Sequence, residues 1–176
     1  MASKEYTFKG TVQWAKVFED IRDMTEWNDE TKAFDKPSST DGVYSIEVTL
    51  DPEQYKALKR TGSLAAKHSK ENEAGEDVVR FKRPHKKVGK GGKVLTFASG
   101  APKVTDATGS PWNFVEDGEI GNGSECEVTI TVYETSFSPG TRLDKVKDLN
   151  HVPRLTEEEF HAKLEAEREA KGDAYV

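Results

Sequence analysis

Apolar and polar side chains alternate over much of the chain. Tyr6, Phe8, Gly10, Val12 and Trp14 alternate with Thr7, Lys9, Thr11 and Gln13. A period of two predicts a half-buried strand, here continuing to about Phe18. Tyr44, Ile46, Val48 and Leu50 against Val43, Ser45, Glu47 and Thr49 predict a second strand. Val79 and Phe81 against Val78, Arg80 and Lys82 predict a third, which Pro84 ends or confines to an edge. Cys126, Val128, Ile130 and Val132 against Glu127, Thr129, Thr131 and Tyr133 form the clearest strand. Pro139-Gly140 turns it into a last one, over about residues 141–149.

The period changes twice. Asp51-Pro52-Glu53 reads as a helix start, with Asp51 as N-cap and Pro52 at the first helical position. Tyr55 and Leu58 supply its apolar face and Gly62 ends it. Near the C-terminus, Thr156 with Glu159 forms a capping box and Leu155 with Phe160 a hydrophobic staple. Phe160 and Leu164 share a face of this second helix, and Gly172 stops it. Residues 20–41 read as a long loop or lid carrying Trp27 and Phe34, and residues 63–77 as loop. Residues 106–112 are turn-rich, and Gly121-Asn122-Gly123 is a tight turn. Five strands in one unit predict a mainly β fold, a small barrel or sandwich. The five-stranded, partly open OB-fold barrel fits the count, with a basic β-hairpin, a short inter-strand helix and a C-terminal helix. That barrel usually carries its helix between strands three and four, whereas here it follows strand two. Residues 1–155 are expected to form the domain and residues 156–176 an acidic helical tail.

The composition allows one modest core. The chain has 176 residues, of which 34% are hydrophobic and 33% charged. No apolar run approaches the ~20 residues a membrane helix needs. Met1 to Tyr6 carry no apolar stretch, so no secretory leader is expected. A single cysteine, Cys126, excludes an internal disulfide and a cysteine-rich metal site. It falls on the apolar face of its strand, as a packed core thiol does. A soluble protein of a reducing compartment is expected. His68, His85, His151 and His161 are not at metal-ligand spacing. Gly89-Lys90-Gly91-Gly92-Lys93-Val94 lacks the spacing of a nucleotide phosphate loop and the Ser or Thr that would bind magnesium. The acids form no recognisable catalytic pair. Neither enzymatic activity nor a cofactor is expected.

Charge distribution changes the picture. The net charge is −6, yet residues 80–103 hold eight basic side chains and no acidic one, and residues 156–176 hold seven acidic and three basic. Local charge sets local potential, so an acidic protein here carries one cationic segment. Binding to single-stranded nucleic acid needs cations along the phosphates and flat aromatic faces under the bases. Arg80, Lys82 and Arg83 lie on the third strand beside Phe81, whose opposite face marks it as core. Lys86, Lys87, Lys90 and Lys93 belong to a glycine-rich loop, with Val94 to Phe97 as a hairpin return. Trp14 shares a face with Phe8 and Val12 and is core or contact. Tyr133 lies opposite the apolar row of its strand, which favours exposure. Trp112, after a Ser-Pro turn, is core or contact. Trp27 and Phe34 are exposed or pin a lid.

Several blocks then resemble a known family. Residues 10–19, Gly-Thr-Val-Gln-Trp-Ala-Lys-Val-Phe-Glu, resemble the opening strand of phage-encoded single-stranded DNA-binding proteins with an OB-fold. In the same order come residues 42–50, Arg80-Phe81-Lys82-Arg83-Pro84, and Pro102-Lys103-Val104 with Asp106 and Pro111-Trp112. Ile120 to Ser124 leading into Val128–Tyr133, and Arg142-Leu143 with Val146, complete the series. The resemblance covers roughly residues 10–150. It implies an OB-fold barrel that binds without sequence preference, and a role in phage DNA replication, recombination or repair, in the bacterial host cytoplasm. In relatives an acidic C-terminal tail binds replication partners and competes with DNA for the groove. The tail here departs from that pattern, because it mixes bases with acids and reads as a capped amphipathic helix.

Two other readings compete. A protein-interaction module of a replisome or virion would use the basic hairpin on an acidic protein and would not prefer single strands to duplex. A nuclease would need a convergent metal-binding acid cluster, which the sequence does not show.

Overall fold

The computed structural model describes residues 3–87, 90–93, 95, 99–134, 139–152, 161, 162, 164–166 and 168. The alternating segments form strands. They are β1 (Ser3–Lys16), β4 (Val43–Leu50), β6 (Asp77–Pro84), β8 (Glu125–Tyr133) and β9 (Gly140–Asn150). They are joined by four short strands that alternation did not mark: β2 (Thr25–Asn28), β3 (Ala33–Pro37), β5 (Lys70–Glu71) and β7 (Lys103–Thr105). The main sheet has seven strands in the order β5-β6-β4-β1-β8-β9-β7. It is mixed, because β7 runs parallel to β9 while the other ladders are antiparallel. Three residues are too few to show a period, so β7 is legible only through its partner.

Within this sheet the five expected strands are the centre. Their inner faces carry Phe8, Val12, Ile46, Val48, Val79, Phe81, Val128, Ile130, Leu143 and Val146, all buried. Phe8 and Phe81 stack across the interior with ring centroids 6.4 Å apart. The sheet curls, so that β6 and β9, second and sixth in order, come into contact. Among the described residues no backbone ladder joins those two strands, and a closed five-stranded barrel is therefore not what the ladders form.

Helix α1 (Pro52–Arg60) follows β4, where the sequence puts it. The Asp51 carboxylate accepts from the Gln54 N–H at 2.8 Å, and Leu58 is fully buried. Residues 20–41, expected as a loop or lid, instead fold into the β2–β3 hairpin. Local contacts hold it. Trp27 Nε1 donates to Asp29 Oδ1 at 2.9 Å, and the Trp27 and Phe34 rings meet edge to face at 5.2 Å. Residues 63–77 contain a 3-10 turn (Leu64–His68) and β5 rather than loop alone. The short helix α2 (Phe114–Asp117) precedes β8. The C-terminal helix falls largely outside the described residues. His161, Ala162, Leu164, Glu165, Ala166 and Arg168 are helical and exposed. No described helix is long and apolar enough to cross a membrane.

Candidate nucleic-acid interface

Cross-strand register assembles a cationic face from distant residues. Gln13 of β1 stands opposite Glu47 of β4, which stands opposite Arg80 of β6. The next outward row is Lys16, Ser45 and Lys82. Directly opposed side chains share a face and lie about 5 Å apart. Lys16, Arg80 and Lys82 thus share one outer face with Glu47, and Asp23 lies beside it, bridged to Val43. Burial pushes the Asp23 carboxyl upward. Hydrogen bonds from Thr25 and the charges of Lys16 and Arg80 outweigh it and hold the group below its usual range. The Lys82 ammonium is lowered, first by loss of solvent and then by neighbouring Arg80. Two cations this close keep their charge more easily when an anion lies between them, as a phosphate would.

Trp14 belongs to this face because β1 is bulged. Between the Gln13–Glu47 and Lys16–Ser45 pairs, β1 advances three residues while β4 advances two. The extra residue resets the alternation. Phe8 and Val12 point inward at even positions, and beyond the bulge Ala15 and Val17 point inward at odd ones. Trp14 itself has φ +50° and is 67% exposed. Of the two readings left open for Trp14, burial beside Phe8 and Val12 is excluded. The parity switch from Val12 to Ala15 and Val17 is visible in the sequence. Applied to β1, it would have turned Trp14 out and added Lys16 to the face.

The remaining sequence-assigned residues divide. Arg80 and Lys82 are exposed on β6. Arg83 is turned inward. Alternation puts it on the Phe81 face, and at the end of β6 it reaches across to β9. Its Nε donates to Gly100 O at 2.7 Å and its Nη2 to Ser99 O at 2.8 Å. Its Nη1 reaches Leu143 O and Asp144 Oδ1. The side chain is only 11% exposed, so its donors face protein oxygens rather than solvent. Asp144 also accepts from Arg142 Nε at 2.6 Å and from the Thr131 hydroxyl.

The glycine-rich loop starts as a return. Leu95 N–H donates to Lys87 O and Gly100 N–H to His85 O, each at 2.8 Å. The rest of the expected hairpin partner, Val94, Thr96 and Phe97, lies outside the described residues. Lys86 is exposed and lies 3.6 Å from Asp41. Lys87 Nζ donates to Tyr133 Oη at 2.9 Å and sits 5.1 Å from that ring's centre. Tyr133 is half-buried, its ring lying on Gly140, where an added Cβ would come within 2.3 Å of it. Lys90 enters the loop's 3-10 turn, and Lys93 is exposed just after it. Below the loop, Tyr44 is fully buried and its Oη lies 2.7 Å from His85 Nδ1. Burial raises the Tyr44 phenol above its ordinary value.

Trp112 is half-buried. Its Nε1 donates to Gly118 O at 2.9 Å, and its ring meets His151 edge to face at 4.9 Å. Cys126 is fully buried and its thiol is pushed up by burial, which suits packing rather than nucleophilic attack. Among the described residues no three His, Cys, Asp or Glu side chains group as metal ligands. A shallow depression of about 170 Å³ further along the outer side of the sheet, over β1, β8, β9 and β7, is lined by Thr7, Lys103, Thr105, Glu127, Thr129, Lys145 and Lys147 and mixes both signs of charge.

No family model matches this chain, and no curated protein does. Solved structures do, and one of them, a single-stranded DNA-binding protein of a bacteriophage, shares its fold with this chain. The chain is similar to the C-terminally truncated single-stranded DNA-binding protein of bacteriophage Enc34. Identity is 10%, coverage is 86% of this chain and 88% of that one, and the TM-score is 0.51. Other matches are gp2.5, a single-stranded DNA-binding protein of bacteriophage T7, and the Enc34 protein in complex with single-stranded DNA. The first has 19% identity, coverage of 92% and 94%, and a TM-score of 0.49. The second has 10% identity, coverage of 86% and 89%, and a TM-score of 0.48. The match at a TM-score of 0.51 is to a protein of the class that the sequence blocks resemble.

Proposed function

We propose that this protein binds single-stranded DNA without sequence preference and performs no chemistry on it. The observation that carries this reading is Trp14, an indole held 67% exposed at a bulge one step from the Lys16–Ser45–Lys82 row. Cations along the phosphates give salt-dependent affinity, and an exposed indole stacks on any base. Arg80 and Lys82 track phosphates from the strand, and Lys86, Lys87, Lys90 and Lys93 do so from the loop. The contact of β6 with β9 supports an OB-like barrel whose last seam is bridged by Arg83 rather than by a ladder. Residues 1–155 are then the binding domain and residues 156–176 a tail for replication proteins. Coating of single strands during phage replication, recombination or repair in the host cytoplasm follows from this reading.

A tryptophan-fluorescence titration with oligo-dT and with an equal-length duplex, at two salt concentrations, tests it. Quenching by oligo-dT that weakens with salt, and much poorer duplex binding, is expected. Equal binding of both, or of neither by fluorescence and by gel shift, would favour an interaction module that uses the basic loop.

A further inference from the structure

Trp14 adopts a backbone conformation that a bulky side chain avoids. At φ +50° its Cβ crowds the carbonyl that follows, and few residues other than Gly, Asn and Asp adopt it freely. Something outside β1 must hold the bulge. The turn before β8 does so with three hydrogen bonds. The Trp14 N–H donates to Asn122 Oδ1 at 2.8 Å, Val12 N–H to Ser124 O at 2.8 Å, and Gly123 N–H to Val12 O at 2.9 Å. Only the first involves a side chain, and only the first reaches Trp14 itself.

The turn is itself anchored. Ser124 is fully buried, its hydroxyl donates to Gly121 O at 2.9 Å, and it accepts the Val152 N–H at 2.8 Å. Gly121 N–H donates to Val152 O at 2.7 Å. Asn122 therefore projects an amide from a fixed point onto a strained one. We propose that Asn122 is the positioning residue of the nucleic-acid interface, holding the Trp14 backbone in the left-handed conformation that presents the indole to a base. This rests on the reading of Trp14 as a stacking platform. Without the acceptor, Trp14 relaxes toward extended backbone, and the indole leaves the outer face that its bulge gives it.

The test measures anisotropy of a fluorescein-labelled oligo-dT with wild type, Asn122→Ala, Trp14→Ala and the double variant, with a salt series and thermal melts of each. Trp14→Ala should weaken binding roughly ten-fold, the loss of one stacked base. Asn122→Ala should weaken it at least three-fold with the salt slope and melting midpoint unchanged. In the Trp14→Ala background it should do nothing further. That non-additivity separates positioning from general damage, which would weaken both backgrounds alike. If Trp14→Ala weakens binding and Asn122→Ala does not, or if Asn122→Ala acts equally in both backgrounds, the positioning role is overturned. If Trp14→Ala itself leaves affinity intact, the platform reading falls first.

Discussion

Arg80 and Arg83 lie three residues apart on β6 and meet opposite fates. Arg80 stands on the outer face with Lys82 and Lys16, beside Asp23 and Glu47. Arg83 is on the inner face, 11% exposed, and binds Gly100, Ser99, Leu143 and Asp144. The pair shows that formal charge in a segment is not charge available to a ligand. Parity along the strand decides which guanidinium meets solvent. The position of Arg83 at the strand's end, facing β9, decides what the inward one binds. The same division recurs in the loop, where Lys87 is engaged by Tyr133 while Lys93 is exposed without an ion pair among the described residues.

Removing Arg83 should have the largest effect. Arg83→Ala takes a buried cation from Asp144, itself 13% exposed, and removes the donor that serves the backbone carbonyls of Ser99, Gly100 and Leu143. Breaking a buried pair costs about 3–5 kcal/mol, and retention of Arg142 on Asp144 puts the expected loss near about 3 kcal/mol in urea unfolding. A loss under about 1 kcal/mol would mean that the seam between β6 and β9 does not depend on it.

Arg80→Ala with Lys82→Ala should leave unfolding nearly unchanged and act on DNA. Each phosphate contact on a single strand contributes about 0.7 to the slope of log K against log salt, so the double variant should flatten it by about 1.4. An unchanged slope would move the DNA off this face.

Single lysines of the loop sharpen the contrast at smaller scale. Lys93→Ala should flatten the slope by up to about 0.7. Lys87→Ala should flatten it less, because its ammonium already sits on Tyr133, and should lower stability by about 0.5–1 kcal/mol through loss of the cation–π contact. Equal slopes for the two variants would show that the Tyr133 contact opens when DNA binds.

The smallest expected effect is a pH dependence away from the interface. Burial raises the Asp148 carboxyl, opposed by the hydrogen bond and charge of His151 at 2.7 Å, and its Oδ1 has no hydrogen-bond partner among the described residues. Between the unfolded and native pKa values the native state holds more protons, so stability from this group falls as pH rises through that window. Asp148→Asn should remove that fall. The wild-type minus variant difference in unfolding free energy, followed upward from about pH 4, the unfolded carboxyl's range, should decline and then level off. A difference that rises with pH would reverse the assignment.

The sequence by itself determined the five long strands, the capped helix α1 and the inward row from Phe8 to Val146. Alternation and capping are local properties, and burial of one sheet face enforces them wherever the run is long enough. It also contained, unread, two signals for the site. One is the parity switch after Trp14 that exposes the indole and adds Lys16. The other is the placement of Arg83 on the Phe81 face. Only the tertiary structure decided the rest. Strand β7 exists because β9 offers it a parallel partner, and the β2–β3 hairpin because Trp27 meets Phe34. Asn122 reaches Trp14 from 108 residues away. Such contacts depend on which chain segments the folded sheet brings within a hydrogen bond of each other, and no period along the sequence carries that distance.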